Sequence, residues 1–253
     1  VTGQNYSVTP PLQIESISPS GYVNSTVRHL DVTFSKPIKP VSFTADDVSL
    51  SGPGGAIPVA GVEPLDNWTY RISIAELAAD GAYICAVGPQ IEAIGGEGLD
   101  MDADGVYGEP ADVKTIGFEI DLTRPAPPTI NTYSPAPATN VLLDALLTLS
   151  GGREANTAVW IDQTERVASG VGAWSYVVTN LTRGTHSLLV HARDRAGNTS
   201  DAVRLNFDVV NDRLLTQPLT IQATNMSFEN LDIVINGTTV TVDGAHTFAS
   251  LTL

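Results

Sequence analysis

Short runs in which apolar and polar residues alternate are the feature that most constrains how this chain can fold. One such run is Leu30-Asp31-Val32-Thr33-Phe34, and Trp68 to Ile74 is another. Successive side chains of a β-strand point to opposite faces of a sheet, so this pattern predicts half-buried strands rather than helices. Turn residues such as Ser18-Pro19-Ser20-Gly21 end each run early. The sequence therefore predicts an all-β protein, in which only Ile74 to Ala79 has the composition of a helical turn.

The alternating runs fall into two blocks that a proline-rich stretch separates. Residues 10–121 and residues 129–211 each hold several short runs at the spacing typical of an antiparallel β-sandwich. Residues 122–128 contain three prolines, which exclude helix and favour an extended, semi-stiff linker. Residues 1–9 are a polar N-terminal tail. We therefore predict two antiparallel β-sandwiches in tandem.

Residues 212–253 form a third segment of different texture. Short apolar runs recur there at nearly regular spacing, and Asn236-Gly237 and Asp243-Gly244 separate them. Such dipeptides are typical of tight hairpin turns. The same spacing also fits the successive faces of a β-solenoid, with this segment as its cap and first coil. We predict a short β segment that begins a further repeat domain.

An acidic loop inside the first block is the strongest candidate for a functional site. Asp100, Asp102 and Asp104 alternate with other residues, and Gly105 follows them. Calcium binds six to eight oxygen atoms, and an EF-hand loop has acidic residues in this alternation before a glycine. Ala111 stands where that loop has its closing glutamate, so another carboxylate must complete the shell. The predicted Ca²⁺ ligands are Asp100, Asp102, Asp104 and the carbonyl of Val106, with Glu109 or Asp112 completing the shell.

The alternative for this loop is a solvated acidic turn, since Asp and Gly are common turn residues. Three alternating aspartates repel one another without a counter-ion, which favours the metal site. The loop lies one predicted strand before the proline-rich linker. A cation there would therefore be expected near the junction, where it could brace one module against the next.

The charge of the chain limits its partners. Its formal net charge is -15, from 28 acidic and 13 basic residues. Nucleic acid and anionic membranes are therefore poor partners. No apolar run is long enough to predict a membrane span in this fragment. The single cysteine, Cys85, has no partner for an intramolecular disulfide and lies in an apolar run, which predicts a buried, unreactive thiol.

Both blocks contain short motifs that recur in one family of bacterial modules. These motifs are Ile17-Ser18-Pro19 and Val32 to Ile38 in the first block, and Gly172-Ala173-Trp174, Leu181 with Gly184, and Ala192 to Ser200 in the second. By these residues both blocks resemble bacterial immunoglobulin-like modules. The resemblance implies two immunoglobulin-like β-sandwiches in tandem, of the Big type, in a large secreted or surface protein, followed by the start of a β-solenoid-like segment. It also implies a loop such as Leu99 to Gly105 before the last strand of the first module.

The sequence offers little that is typical of catalysis. Its four histidines, at 29, 186, 191 and 246, are scattered, and no Gly-x-Ser-x-Gly motif is present to place a nucleophile. Glu154 and Asp162 are an acidic pair of the kind that glycosidases use, but the sequence does not fix their separation. We therefore predict that the chain is not an enzyme.

The sequence is compatible with three functions. The first is a calcium-stabilised spacer or display region of a bacterial extracellular or cell-surface protein. The second is an adhesin module that binds a carbohydrate or cell-surface ligand, with Trp68 or the loop tips as the contact. For Trp68, Trp160 and Trp174, burial in a core is the more common role of such side chains. The third is a set of accessory domains in a large secreted hydrolase. Since residue 1 falls within a polar stretch, we expect neighbouring domains of a longer parent chain as partners.

Overall fold

The computed structural model describes residues 10–134, 141–142, 146–209 and 212–253, which belong to two compact units. Unit 1 takes the chain up to Thr123 together with Ala196–Asn198, and unit 2 takes Arg124–Arg195 and Thr199–Leu253. Strands account for 54% and helices for 4% of the structure, which confirms the all-β prediction. The helices of the described residues are 3-10 turns at Pro40–Ser42, Ala45–Asp47 and Met226–Phe228.

Unit 1 is an immunoglobulin-like sandwich of two sheets. One sheet has the strand order β1-β3-β7-β6, and the other has the order β2-β9-β8-β4-β5. All pairs are antiparallel except β2 with β9. The strand orders place β1 at the edge of one sheet and β2 at the edge of the other, so the N-terminal part of the chain contributes an edge strand to each sheet. The strands are β1 (Ile14–Ser18), β2 (Gly21–Val23), β3 (Val27–Phe34), β4 (Val48–Gly52), β5 (Gly55–Ala56), β6 (Val59–Pro64), β7 (Thr69–Leu77), β8 (Gly81–Val87) and β9 (Lys114–Ile120).

The core of unit 1 follows from the alternation in its strands. On β3, Leu30, Val32 and Phe34 are fully buried, whereas the residues between them are partly exposed. Phe34 meets the edges of Phe43 and Tyr70, with ring centroids 5.4 and 5.9 Å apart. Burying each of these large side chains stabilises the fold by about 1.5–3 kcal/mol.

Two local predictions for unit 1 need correction. The expected helical turn at Ile74 to Ala79 is wrong, because β7 continues as a strand to Leu77. Ile74 pairs with Val59 on β6, a strand that the sequence did not predict because it contains Gly61 and Pro64. Proline is tolerated there because β6 lies at the edge of its sheet.

The sandwich of unit 2 is one sheet that folds back on itself. Its order is β10-β12-β14-β15-β11, and β13 pairs with β12. Leu147 at one end of β12 and Ile161 at the other belong to the same hydrophobic core, so the sheet must curve around it. The strands are β10 (Thr132–Ser134), β11 (Val141–Leu142), β12 (Leu147–Ile161), β13 (Thr164–Val178), β14 (Gly184–Arg193) and β15 (Val203–Val209).

Strand β12 replaces two predicted strands, at 146–151 and 157–162. It is a single strand of 15 residues whose register with β13 shifts between Arg153 and Thr157. Asn156, within the shift, has a φ of 63°, in the left-handed region. A bulge of this kind lets a long strand bend and serve both layers of a sandwich.

The predicted linker, residues 122–128, is divided between the two units. Leu122 N–H donates to Asp80 Oδ1 in unit 1 at 2.7 Å. From Arg124 onward the chain is extended and bound to unit 2. Arg124 Nε donates to the carbonyl of Thr199 at 2.7 Å, and Ala126 N–H donates to Glu154 Oε2 at 2.8 Å. The prolines therefore lie in a segment that backbone and carboxylate hydrogen bonds hold in place.

Residues 212–253 pair in parallel. The order β16-β18-β20 aligns Arg213 with Ile233 and Ile233 with Leu251, so partners are 20 and 18 residues apart (233 − 213 and 251 − 233). This pairing contradicts hairpins at Asn236-Gly237 and Asp243-Gly244. Those glycines, with φ of 63° and 89°, stand between strands that do not pair with each other. The strands are β16 (Asp212–Leu215), β17 (Leu219–Ile221), β18 (Asp232–Ile235), β19 (Val240–Val242) and β20 (Ser250–Thr252).

A small core and a buried histidine–carboxylate contact hold this segment together. Ile221, Phe228 and Ile233 are buried. The fully buried ring of His246 contacts Glu229 Oε1 through Nδ1 at 2.6 Å and the carbonyl of Gln222 through Nε2 at 3.1 Å. Across the part of the chain that the structure describes, no helix has the length and hydropathy needed to cross a membrane.

Candidate metal centre

The acidic loop, residues 100–112, lies at the end of the unit 1 sandwich where β1 and β9 begin. Leu99 bridges to Leu12 just before β1, and Lys114 starts β9 just after the loop. Strand β9 then carries the chain through seven residues, or roughly 20 Å, before the linker. The loop and the linker therefore lie at opposite ends of β9. The expectation that a cation here would brace the junction at residues 122–128 is wrong.

Two buried aspartates form the floor of the loop. Asp112 is fully buried, and its two carboxylate oxygens accept the N–H groups of Met101 at 2.6 Å and Glu109 at 3.0 Å. Asp100 is 2% exposed, and its Oδ2 accepts the N–H of Gly105 at 3.1 Å. The other oxygen of Asp100, Oδ1, is buried and has no hydrogen-bond partner. Burying an unpaired carboxylate oxygen costs free energy, and a bound cation would compensate for that cost.

The rim of the loop is shaped by turns. Asp104 N–H donates to Asp102 Oδ1 at 3.3 Å, and Val106 N–H donates to Asp104 Oδ1 at 2.7 Å. Such side-chain bonds to the backbone two residues on are typical of aspartate turns. Gly105 has a φ of 89°, which only glycine adopts without strain. Asp102 and Asp104 remain exposed to solvent, and Glu109 is half-buried.

The five predicted carboxylates come together as two triads. One triad is Asp100, Asp102 and Asp112, and the other is Asp102, Asp104 and Glu109. Within each triad the candidate ligand atoms lie within 4.8 Å of one another. Calcium–oxygen distances of about 2.3–2.6 Å place opposite ligands about 5 Å apart, so either triad can bind one side of such an ion. The carbonyl of Val106 stays a prediction, since the contact that the structure gives for Val106 is its N–H.

The electrostatics of the loop also favour a cation. Burial raises the pKa of Glu109 above its usual value, and the charges of Asp104, Asp102, Asp112 and Asp100 raise it further. A solvated turn accounts for the exposed rim but not for the two buried aspartates. Carboxylates are hard oxygen ligands, which suit Ca²⁺, and bound water can supply the remaining positions.

Sequence reasoning missed the residues that attach this loop to the sandwich. Met101, between two of the aspartates, packs against the core of unit 1, and its sulfur accepts the N–H of Ile14 at 3.3 Å. Gln13 Nε2 donates to the carbonyl of Asp100 at 3.3 Å. The available signal was an apolar residue inside an acidic run, which a freely solvated turn does not need.

The tryptophans have different environments. Trp174 is 3% exposed and donates Nε1 to the carbonyl of Gly152 at 3.1 Å, so its predicted place in a core is confirmed. Trp160 is half-buried, with the Arg193 guanidinium 5.2 Å from its ring centroid. Trp68 is 47% exposed on a turn in which Asp66 Oδ1 accepts two backbone N–H groups. Trp68 is therefore the aromatic side chain of the three that is most available for contact.

The residues considered for catalysis have structural contacts. Glu154 accepts the N–H of Ala126, and Asp162 Oδ1 accepts the N–H of Leu189 at 3.0 Å. Cys85 is fully buried, and burial raises the pKa of its thiol to about 11. A thiol in this state is protonated at neutral pH and shielded from solvent.

The order of strands in unit 1, with β1-β3-β7-β6 facing β9-β8-β4, defines an immunoglobulin-like sandwich. No protein-family model matches the chain, and no curated protein sequence matches it. Similar solved structures include the N-terminal part of the bacterial S-layer protein SbsC, at 16% identity and a TM-score of 0.34 over 79% of this chain and 44% of that one. A second SbsC structure, of domains 1-6, is 16% identical, with a TM-score of 0.33 over 82% of this chain and 27% of that one.

The fibronectin(III)-like modules of Clostridium thermocellum CbhA are 14% identical, with a TM-score of 0.41 over 78% of this chain and 93% of theirs. The chain thus spans less than half the length of both S-layer structures. At this level of similarity the assignment of the fold rests on the strand topology itself.

Proposed function

We propose that this chain is a calcium-stabilised, non-enzymatic spacer or display region of a bacterial extracellular or cell-surface protein. Two units follow one another along the chain, and the sandwich in each has its own hydrophobic core. The segment from Arg124 onward is tied to unit 2 by hydrogen bonds, which suits a semi-stiff connector. A net charge of -15 favours solubility for a protein displayed in this way.

The buried, unpaired Oδ1 of Asp100 is the observation that carries the calcium proposal. Asp102 and Asp112 supply oxygens close to it, and the exposed rim leaves room for water in the shell. Magnesium demands near-ideal octahedral geometry at shorter distances and keeps most of its waters. A loop with several carboxylates and room for water fits calcium better. Extracellular calcium sites bind at about 10⁻⁴–10⁻³ M, which suits a cell-surface protein.

Isothermal titration of chelator-treated protein with calcium tests the proposal. We expect a heat of binding when calcium is added to the wild type and little heat with Asp112→Asn. Magnesium should give the wild type a similar heat only at much higher concentration. Asp66→Asn is a matched control, because Asp66 also accepts two backbone N–H groups but lies outside both triads. If wild type and Asp112→Asn give the same flat titration, the loop is only a solvated acidic turn.

We further propose that the sandwich of unit 1 is a module of the Big type and that residues 212–253 are the first coils of a parallel β-solenoid. Parallel ladders with partners about 20 residues apart are what stacked coils produce. Ile221, Phe228 and Ile233 supply the small interior that such coils need. Hydrogen exchange is the test, because stacked coils should protect the amides of β18, which has a partner on both sides, more than those of β16 and β20.

An adhesin is the second candidate function, and the exposure of Trp68 favours it. Aromatic rings on rigid turns can stack on sugars, and two N–H bonds to Asp66 hold this turn. A glycan array probed with wild type and Trp68→Ala tests this function. Binding that Trp68→Ala abolishes would favour the adhesin, whereas no binding would leave the spacer. The third function, accessory domains of a secreted hydrolase, stays a prediction, as do neighbouring domains as partners.

A further inference from the structure

Strand β1 is weakly held by its own sheet. It lies at the edge of the order β1-β3-β7-β6, so only β3 pairs with it. The register with β3 shifts between Ile14 and Ser16, which interrupts even that ladder. An edge strand with one interrupted ladder has few backbone hydrogen bonds to resist its release.

The start of the acidic loop supplies contacts on the other side of this strand. Leu12 bridges in parallel to Leu99, and Asp100 N–H donates to the carbonyl of Leu12 at 3.0 Å. Gln13 and Ile14 then bond to the Asp100 carbonyl and the Met101 sulfur, both at 3.3 Å. Three consecutive residues before and within β1 are therefore attached to Leu99 and to the first two residues of the loop.

Those loop residues are also the ones that a cation would hold. Asp100 carries the buried oxygen without a partner, and Met101 N–H donates to Asp112 Oδ1 at 2.6 Å. The backbone of Asp100 thus binds β1 while its side chain faces Asp102 and Asp112. Repulsion among these carboxylates opposes the position of residues 99–101, and a bound cation would offset that repulsion.

We propose that cation binding at Asp100, Asp102 and Asp112 controls how firmly β1 is held in the sandwich, an inference that rests on the proposed calcium site. The bound ion fixes residues 99–101, which act as the second neighbour of the edge strand. Loss of the ion weakens that neighbour and leaves β1 with its interrupted ladder to β3, the two hydrogen bonds between Gln13 and Ser35, and its buried side chains. The part of the fold that calcium regulates is the first strand, at the entry of the chain into unit 1.

Hydrogen exchange measured by mass spectrometry on the full chain tests this inference. The protein is compared in chelator and in 10 mM calcium, and peptides covering residues 12–18 are compared with peptides covering β8, which lies inside the second sheet. At this concentration a site with a Kd of about 10⁻⁴–10⁻³ M should slow opening of β1 by about 10- to 100-fold. Exchange in β8 should change much less.

Asp112→Asn and the control Asp66→Asn are measured in the same way. We expect Asp112→Asn to exchange rapidly over residues 12–18 in both buffers, whereas Asp66→Asn should respond to calcium as the wild type does. The comparison of wild type in two buffers needs no variant, so a variant that fails to fold does not weaken it.

Each outcome separates this inference from the calcium site itself. If calcium binds by titration but exchange in residues 12–18 does not change, the control of β1 is wrong and the metal site stands. If calcium slows exchange equally across both sheets, it stabilises the whole sandwich, and a specific hold on β1 is again wrong. If calcium does not bind, both proposals fail.

Discussion

Two carboxylates, Glu229 in unit 2 and Asp100 in the acidic loop of unit 1, differ in where the partners of their oxygens come from. In the C-terminal segment of unit 2, Glu229 accepts the N–H of Thr247 at 2.7 Å and contacts Nδ1 of His246 at 2.6 Å, so both of its oxygens are satisfied within the chain. In the acidic loop of unit 1, Asp100 keeps one buried oxygen without any partner. The Glu229 carboxylate has all its partners within the fold, whereas Asp100 keeps a buried oxygen that an ion from solution would pair.

The pKa values of Glu229 and Glu109 move in opposite directions because the groups around the two carboxylates differ. The N–H of Thr247 and the side chain of His246 hold the pKa of Glu229 below its usual value. Burial and four neighbouring aspartates hold the pKa of Glu109 above its usual value. A carboxylate surrounded by donors stabilises the fold as an anion, whereas a carboxylate among other carboxylates needs a cation to do so.

Removing Asp112 should have the largest effect. Asp112→Ala leaves the N–H groups of Met101 and Glu109 without their charged acceptor at a buried position. We expect a loss of about 2–5 kcal/mol in the free energy of unfolding of unit 1, even in chelator, since each unsatisfied buried donor costs about 1–3 kcal/mol. Urea unfolding followed by fluorescence measures it. A loss below about 1 kcal/mol would mean that water replaces the carboxylate at no cost.

Calcium itself should have the next largest effect. A site that binds only the folded state contributes about 1–3 kcal/mol when the ion exceeds its Kd by about 10- to 100-fold. For a domain of this size we expect the melting temperature of unit 1 to rise by several degrees, with no change in unit 2. Calorimetry in chelator and in millimolar calcium measures the rise.

Asp104→Ala sharpens this experiment, because Asp104 is an exposed member of the second triad. The variant should lose most of the calcium-dependent rise while keeping the melting temperature that the wild type has in chelator. Identical curves for the wild type in the two buffers would contradict the metal site.

The contacts of Glu229 in unit 2 should depend on pH and not on calcium. The folded-state pKa of Glu229 lies below the ordinary value of 4.5, so its contribution is present above that value and is lost as the pH falls through the folded pKa. We expect exchange of the Thr247 amide, corrected for its intrinsic rate, to accelerate as the pH falls from 4.5 through the lower folded-state pKa of Glu229. In Glu229→Gln this acceleration should disappear. An equal acceleration in both proteins would assign it to other carboxylates.

Local patterns in the sequence predicted much of the fold. Alternation located β3, β8 and β15 because side-chain direction in a strand is a local property. The alternating aspartates located three of the five carboxylates that the loop brings together, and the need for a further ligand pointed to Glu109 or Asp112. These successes concern residues that lie close together in the sequence.

The failures concern pairing between distant residues. Strand β6 reads as a loop because of Gly61 and Pro64, yet it pairs with β7 at the edge of a sheet. The parallel pairing of Ile233 with Leu251 depends on stacking across 18 residues, which a dipeptide such as Asp243-Gly244 does not reveal. The direction of β9 places the acidic loop far from the linker, although only a few residues separate them in sequence.

The smallest effect on stability is expected when a solvent-exposed carboxylate loses its partner within the chain. Arg28 Nη2 is 2.9 Å from Glu76 Oε2, and the two side chains are 69% and 41% exposed. Water and salt screen such a pair, and ordering two long side chains offsets its attraction. Arg28→Ala should therefore leave the melting temperature of unit 1 unchanged within error, with and without calcium. A clear loss of stability would mean that an exposed ion pair contributes as much to the stability of unit 1 as the buried carboxylates do. Burial would then not explain why removing Asp112 costs more than removing Arg28.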